Sequence, residues 1–391
     1  MRILMSTVGT RGDVQPVIAL ALKMRELGHD VRLCVPPNFV EQVGSLGFEA
    51  RPLGIEMRAP RPGEGAPKTI PDLISDQFEV VVAAAEGCDV ILGGGAHQYA
   101  ARSAAELHRI PCAIAVYSPT SIPSQALPPG GDADLPGGPS QNIRLWKENK
   151  STWNARALGK VNSNRERWKL DPIDDVLGHI LGEQVWLAAD AVLGPAPSPS
   201  DLDVFQSGAW IMEDNRPLPP DLSAFLGAGE PPVYFGFGSM PAPQSAVRIL
   251  TEAAQALGRR VILSRGWAEL VSMDQGPQCI VVDEVNQQAL FPRVAAVVHH
   301  GGAGTTTIAA RAGVPQVVTP MFSDQFYWGY RLLQLKVGAV VSMSSISVES
   351  LAQALRHALE PETISRAAAF SQHVASDGTF VAARRLLEFS Q

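Results

Sequence analysis

The first forty residues follow an order of elements that leaves few folds open. Arg2–Val8 is a short apolar run, read as a strand buried on both faces. Gly9–Pro16 reads as a loop; Val17, Leu20, Ala21 and Met24 then recur at helical spacing, and Gly28 stops the helix. Asp30–Pro36 is the next strand. Strand, loop, helix, strand is a βαβ unit, whose crossover brings the second strand back parallel to the first. The alternation continues through Asp89–Leu92 and Ile110–Val116. It restarts at Val233–Phe237, followed by a turn at Gly238-Ser239 and a helix carried by Val247, Leu250, Ala254 and Leu257. Further strands are read at Arg260–Leu263, Ile280–Val282, Ala296–Val298 and Gln316–Thr319, and helices over Gly304–Ala312, Phe326–Leu335 and Val348–Leu359. The expected fold class is α/β, with two doubly wound, Rossmann-like parallel-sheet domains facing each other across a cleft. Ligands of such sheets sit outside the carboxyl ends of the strands. A cleft between two of them suits two substrates.

The 391 residues allow two to three domains at about 150 residues each. With 46% hydrophobic and 18% charged residues the chain can bury sizeable cores, which argues against disorder. Its net charge of −7 and lack of any basic block make nucleic acid an unexpected partner. No apolar run approaches the roughly 18 residues of a membrane span, and the one after Met1-Arg2 is too short for a signal peptide. A cytoplasmic monomer without stable membrane insertion is expected. Cys34, Cys88, Cys112 and Cys279 form no C-x-x-C pair and are expected to be reduced and buried.

Regular structure is expected to fail between Ser118 and Lys150. Pro123, Pro128, Pro129, Pro136 and Pro139 exclude helix interiors and central strands there. A loop this long in a compact domain is usually functional. Trp146, Trp153 and Trp168 follow in a helical stretch; they suit plain packing, with the lining of an apolar cleft as the alternative. Arg216–Pro220 and Gly227–Pro232 flank a short apolar segment and read as an interdomain linker. These signals place an N-terminal α/β domain at 1–209, a linker at 210–232, and a C-terminal α/β domain at 233–375. A final segment, 376–391, has helical apolar spacing suited to packing back on the N-terminal domain.

The most specific stretch is Val297-Val-His-His-Gly-Gly-Ala-Gly-Thr-Thr-Thr307. A buried strand ends at His299-His300, and a glycine-rich turn opens directly into a helix. Its first N–H groups have no internal partners and carry partial positive charge, which makes an anion site. Thr305 and Thr306 offer hydroxyl donors, and His300 a charge-assisted hydrogen bond to a phosphate. The bland alternative is a tight turn with capping threonines and two incidental histidines. Asp13 lies at the carboxyl edge of the first sheet, where a carboxylate serves as a helix cap or a general base.

His299-His-Gly-Gly-Ala-Gly-Thr305, followed by Pro320-Met-Phe-Ser-Asp-Gln325, resembles the donor signature of inverting nucleotide-sugar glycosyltransferases of the GT-B type. Gly9-Thr-Arg-Gly-Asp13, Ser264-Arg-Gly-Trp267, Gly208-Ala-Trp-Ile211, Asn162-Ser, Leu187-Ala-Ala-Asp190 and Asp377-Gly378 narrow the likeness to the vancomycin-group, glycopeptide-antibiotic aglycone glycosyltransferases. Phe326 departs from a proline that often follows the Asp-Gln pair. Gly9–Pro16 is also similar to sterol and lipid glucosyltransferases.

The resemblance implies Asp13 as the catalytic base, taking a proton from an acceptor hydroxyl that then attacks the anomeric carbon of a UDP- or TDP-sugar with inversion. For that role its pKa must be raised by burial, or it must take the proton as the bond forms. The resemblance also implies donor contacts from Thr10, Arg11, Gly12, Ser239, Val282, His299, His300, Gly301, Gly302, Ala303, Gly304 and Thr305, with Asp324 and Gln325 binding sugar hydroxyls. Arg11 is expected to point away from Asp13. Asp324 also reads as a helix N-cap, and Trp267 as either a neighbour of the nucleotide base or a packing residue. His97 is a candidate acceptor contact or second base. Asp132-Ala-Asp134 matches a metal motif of another glycosyltransferase fold, but its Pro/Gly loop gives it no rigid mount. Neither a metal nor any other cofactor is expected. The rival readings are a sterol or lipid glucosyltransferase, a nucleotide-sugar 2-epimerase and a non-catalytic nucleotide-sugar binder.

Overall fold

The computed structural model describes residues 1–57, 70–130, 135–240, 244–266 and 276–389. Seven strands form the N-terminal sheet: β1 (Arg2–Thr7), β2 (Asp30–Val35), β3 (Glu49–Pro52), β4 (Val90–Gly94), β5 (Cys112–Val116), β6 (Gln184–Leu187) and β7 (Asp203–Gln206). Six form the C-terminal sheet: β8 (Val233–Gly236), β9 (Val261–Ser264), β10 (Cys279–Val282), β11 (Ala296–His299), β12 (Gln316–Val318) and β13 (Gly338–Val340). The strand orders are β3-β2-β1-β4-β5-β6-β7 and β10-β9-β8-β11-β12-β13. Every pairing is parallel. Each order reverses once, between β1 and β4 and between β8 and β11, and a crevice opens at that point beyond the carboxyl ends.

Strand periodicity explains why the apolar runs are continuous. Ile3 and Met5 face one core and Leu4 the other, so both faces of β1 are dry. In β11, Ala296 and Val298 face one core and Val297 the opposite one. All four cysteines are buried thiols, with no disulfide among the described residues.

Three segments differ from the sequence reading. The expected Gly9–Pro16 loop is helical from Arg11 on, in a helix Arg11–Glu26 that carries Pro16. The irregular stretch ends at residue 138, and a helix spans Pro139–Arg167. Pro139 sits in its first turn, where the missing N–H costs nothing. Trp146, on this helix, donates from Nε1 to the Leu127 carbonyl at 2.8 Å and ties the preceding loop down. Within the expected linker, Pro220–Gly227 is a helix, because Leu222 and Leu226 bury against Tyr234 and Phe291 of the C-terminal domain. The helix Gly378–Phe389 packs on the Arg11–Glu26 helix, with Ala382, Ala383 and Leu386 in the N-terminal core.

The two domains share one continuous apolar core: Tyr327, Trp328 and Leu332 cluster with Leu187, Ala189 and Leu193. Gly194 makes room for this, since a Cβ there would lie 2.7 Å from the Trp328 ring. Arg331 donates to the Leu193 and Val192 carbonyls at 2.9 and 3.0 Å. Buried Asp190 accepts from the Val192 and Leu193 N–H groups and from Ala375 N at 2.8 Å. Among the described residues no helix is long and apolar enough to cross a membrane.

Candidate active site

The site forms where the two switch points face each other. Asp13 lies in the first turn of the helix after β1, where its Oδ2 accepts from Thr10 N at 2.9 Å. The expected capping role is therefore present, with Thr10 as the N-cap. Thr7 Oγ1 and Tyr117 Oη both donate to the Asp13 carbonyl, at 3.2 and 3.0 Å, and fix its backbone from β1 and β5. Gly9, at φ +141°, is obligatory: a Cβ there would fall 2.1 Å from Asp13 Oδ2. Gly95, in the loop after β4, comes within 3.6 Å of Oδ1 on the same measure.

Electrostatics make this carboxylate unusual. Burial raises its pKa from 3.8 to about 7, opposed by the Thr10 N–H and reinforced by the charge of Asp324. Asp324 comes from the other domain, after β12, so the two carboxylates belong to one site. Burial lifts Asp324 as well, to about 6, while the Trp328 Nε1–H, 3.0 Å from Oδ2, holds it back. This corrects the N-cap reading: Asp324 occupies the cap position, but its side chain makes no cap hydrogen bond and turns to Trp328. Gln325 is also partly committed, because its Oε1 accepts from Met321 N and Phe322 N at 2.8 and 3.3 Å. Only its amide NH₂ is left for a sugar.

Across the cleft, β11 delivers the two histidines to different environments. His299 is fully buried, its Nε2 bonded to Gln316 Oε1 at 2.9 Å and its Nδ1 accepting from Gly301 N at 3.1 Å. Burial and the neighbouring His300 push its pKa down to about 3. Both ring nitrogens of His299 are therefore engaged within the fold, and the side chain is a neutral brace for the glycine turn. His300 reaches the turn: a Cβ at Gly302 would sit 2.5 Å from its Nε2, and one at Gly238 3.5 Å from its Cε1. Ser239 follows Gly238, so the β8 turn and His300 adjoin. Burial lowers His300 to about 4 and its Nδ1 has no hydrogen-bond partner among the described residues, so the ring is neutral rather than cationic.

The helix Ala303–Arg311 starts directly after these glycines with no side-chain cap at Gly302. Its first-turn N–H groups, including those of Ala303, Gly304 and Thr305, are free of capping side chains. Thr305 is half-buried. Thr306 is not the hydroxyl donor expected, because its Oγ1 donates to Gly302 O at 2.9 Å.

The remaining assignments separate. Arg11 points away from Asp13 and pairs with Glu284 of the other domain at 3.0 Å. Gly12 is exposed. The Val282 carbonyl, on the edge strand β10, accepts from Arg265 N at 2.9 Å. Trp267, Asp132 and Asp134 lie outside the described residues. Among the described residues, no three His, Cys, Asp or Glu side chains converge as a metal site. His97 is water-accessible in the loop after β4, its ring 5.1 Å from Trp153. The crowding around it lowers its pKa.

Sequence reasoning missed Tyr117, Gly95, Trp328 and Glu284. Tyr117, Gly95 and Glu284 come from segments distant in sequence, whereas Trp328 lies one helical turn after Asp324; none carries a local signature. Gly9 was within the quoted motif, yet its steric reason needed coordinates. The site thus joins a carboxylate poised near neutrality, a second carboxylate and an anion-binding helix N-terminus. Such a set can take a proton from a hydroxyl and receive a phosphate leaving group.

Residues 3–115 match the glycosyltransferase family 28 N-terminal domain, and residues 248–380 the erythromycin biosynthesis protein CIII-like C-terminal domain. The chain is 44% identical to the vancomycin aglycone glucosyltransferase of Amycolatopsis orientalis, over 99% of this chain and 97% of that one. It is 42% identical to the dTDP-epi-vancosaminyltransferase of the same organism, over 94% and 92%. Among solved structures, the glycosyltransferase VinC in complex with DTDP superposes with a TM-score of 0.70 at 20% identity, covering 100% of this chain and 99% of that one.

Proposed function

The chain belongs to the glycosyltransferases of the vancomycin antibiotic group, with the GT-B fold, and from that premise we propose that it moves a hexose from a UDP- or TDP-sugar to a hydroxyl of a glycopeptide-type aromatic aglycone, inverting the anomeric carbon. The observation that supports this most is the Asp13 carboxyl, raised to about 7 and close enough to Asp324 of the facing domain to feel its charge. Asp13 accepts the hydroxyl proton as the acceptor oxygen bonds to the anomeric carbon. The bond from that carbon to the diphosphate breaks on the opposite face, and the electron pair leaves with the nucleoside diphosphate.

Three features of the chain favour that departure. The N-terminus of the Ala303–Arg311 helix supplies oriented N–H groups and a favourable dipole. His300 donates from a neutral imidazole. Ser239, beside it, offers a hydroxyl. The proposal needs no metal, and none is assigned to the mechanism. Asp324 and the Gln325 amide hold sugar hydroxyls, which orients the anomeric carbon toward Asp13. The nucleotide sugar and the aglycone are the partners proposed.

The test is mass spectrometry of the purified protein with UDP- and TDP-glucose and a panel of glycopeptide aglycones, phenols and sterols. A monoglycosylated aglycone of inverted configuration is expected. Transfer to sterols alone replaces the acceptor reading. Donor epimerised without acceptor, or no product with tight nucleotide binding, overturns the transferase reading.

A further inference from the structure

The loop after β4 holds a feature that donor chemistry does not use. Two buried amides spend their hydrogen bonds on this one turn. Gln77, only 2% exposed on the helix Ile70–Ala84, donates from Nε2 to His97 O at 3.0 Å and accepts Tyr99 N at Oε1, 2.9 Å. Gln98 donates to Gly94 O at 3.0 Å. The turn begins at Gly95, where a Cβ would lie 3.6 Å from Asp13 Oδ1, so the turn passes beside the carboxylate. Tyr99 is buried while His97 is exposed, and the His97 ring lies tilted by 34° on Trp153 with 5.1 Å between centroids. Tyr99 closes the group, 6.2 Å from His97 and 5.9 Å from Trp153. His97 is two positions after Gly95, so its Cα lies within about 7 Å of that glycine's Cα. A water-accessible imidazole backed by an indole thus stands two positions along the turn that passes Asp13.

We propose that Gln77 is a positioning residue for the acceptor: it clamps the 97–99 turn so that His97, backed by Trp153, offers its open face as a stacking surface for a planar aromatic ring of the acceptor. This rests on the acceptor reading given above and adds how that acceptor is held. Without Gln77 the His97 carbonyl and the Tyr99 N–H lose their partners and the turn relaxes. Aromatic stacking then weakens without any change to the donor half of the cleft.

The experiment compares wild type, His97→Ala, His97→Phe and Gln77→Met with the vancomycin aglycone as acceptor. It measures acceptor KM and kcat, calorimetric affinity for the aglycone, and calorimetric affinity for UDP and TDP. His97→Ala and Gln77→Met are expected to raise acceptor KM and Kd about three- to tenfold, the range of one aromatic contact. Nucleotide affinity should hold in both, and His97→Phe should restore aglycone binding. Unchanged aglycone affinity in His97→Ala overturns the stacking surface, as does a Phe variant no better than Ala. A Gln77→Met protein that loses nucleotide and aglycone affinity alike reduces Gln77 to a structural role. A wild type that binds nucleotide but no aglycone overturns the acceptor reading itself, a result separable from all of these.

Discussion

Burial and the Asp324 charge outweigh the Thr10 hydrogen bond at Asp13 and leave its carboxyl titrating at about 7. As the proposed base it works only when ionised, so kcat/KM should climb about tenfold per pH unit below that value and level above it. Asp13→Asn keeps the shape and the bond from Thr10 N but removes the base. Turnover should fall by about 10²–10⁴, with UDP affinity held; near-normal turnover makes another group the base. The same shift has a stability consequence. A carboxyl whose folded pKa lies above its unfolded value of 3.8 stabilises fully below 3.8 and loses that contribution as pH rises through about 7. Asp13→Asn should therefore melt higher relative to wild type at pH 8 than at pH 4. Gly9→Ala tests the geometry instead: its Cβ would collide with Oδ2, so turnover should drop at least about tenfold with circular dichroism unchanged. Unaltered kinetics would show that the carboxylate can be displaced without loss.

At the level of elements, β11 and its following helix divide structure from binding between adjacent histidines. His299→Ala removes a buried brace shared by Gln316 and Gly301 and should cost about 1–3 kcal/mol of stability before any packing loss, read as a lowered melting temperature. His300→Ala should leave melting nearly intact and weaken UDP binding about ten- to a hundredfold, one hydrogen bond to a charged phosphate. Equal effects from the two variants would refute the division. The reading of this element from sequence stopped short here. Val297–Thr307 announced strand, turn and helix, because glycine tolerance and uncapped N–H groups are local properties. Which imidazole faced inward was not legible, since it depends on Gln316 arriving from β12. The Pro/Gly stretch misled for a similar reason: proline forbids helix interiors but suits a first turn, and Pro139 occupies one.

On the scale of the molecule, the cleft is held by apolar packing and buried polar contacts more than by charge. The Arg11–Glu284 pair is 42% and 47% exposed, where an ion pair contributes about 0–1 kcal/mol. Arg331 and Trp328 anchor the shared core. Glu284→Ala should barely move the melting temperature, whereas Arg331→Ala should lower it by leaving the Leu193 and Val192 carbonyls without their donor; the reverse order would mean that charge sets the closure. On the proposed mechanism, in which the helix N-terminus receives the leaving group, EDTA should leave initial rates intact, and a loss restored by manganese would redirect attention to Asp132 and Asp134. What the amino-acid sequence determined by itself is the alternation of strand and helix, two parallel sheets, the family, and the strand ends near which Asp13, His300 and Asp324 sit. Those follow from period, glycine and capping chemistry, all expressed within a few residues. Only the tertiary structure decided the pKa of Asp13, the neutral state of both histidines, the engaged carbonyl of Val282 and the helix inside the linker. Each is set by neighbours that folding brings from elsewhere in the chain, and desolvation and hydrogen-bond saturation exist only once those neighbours are in place.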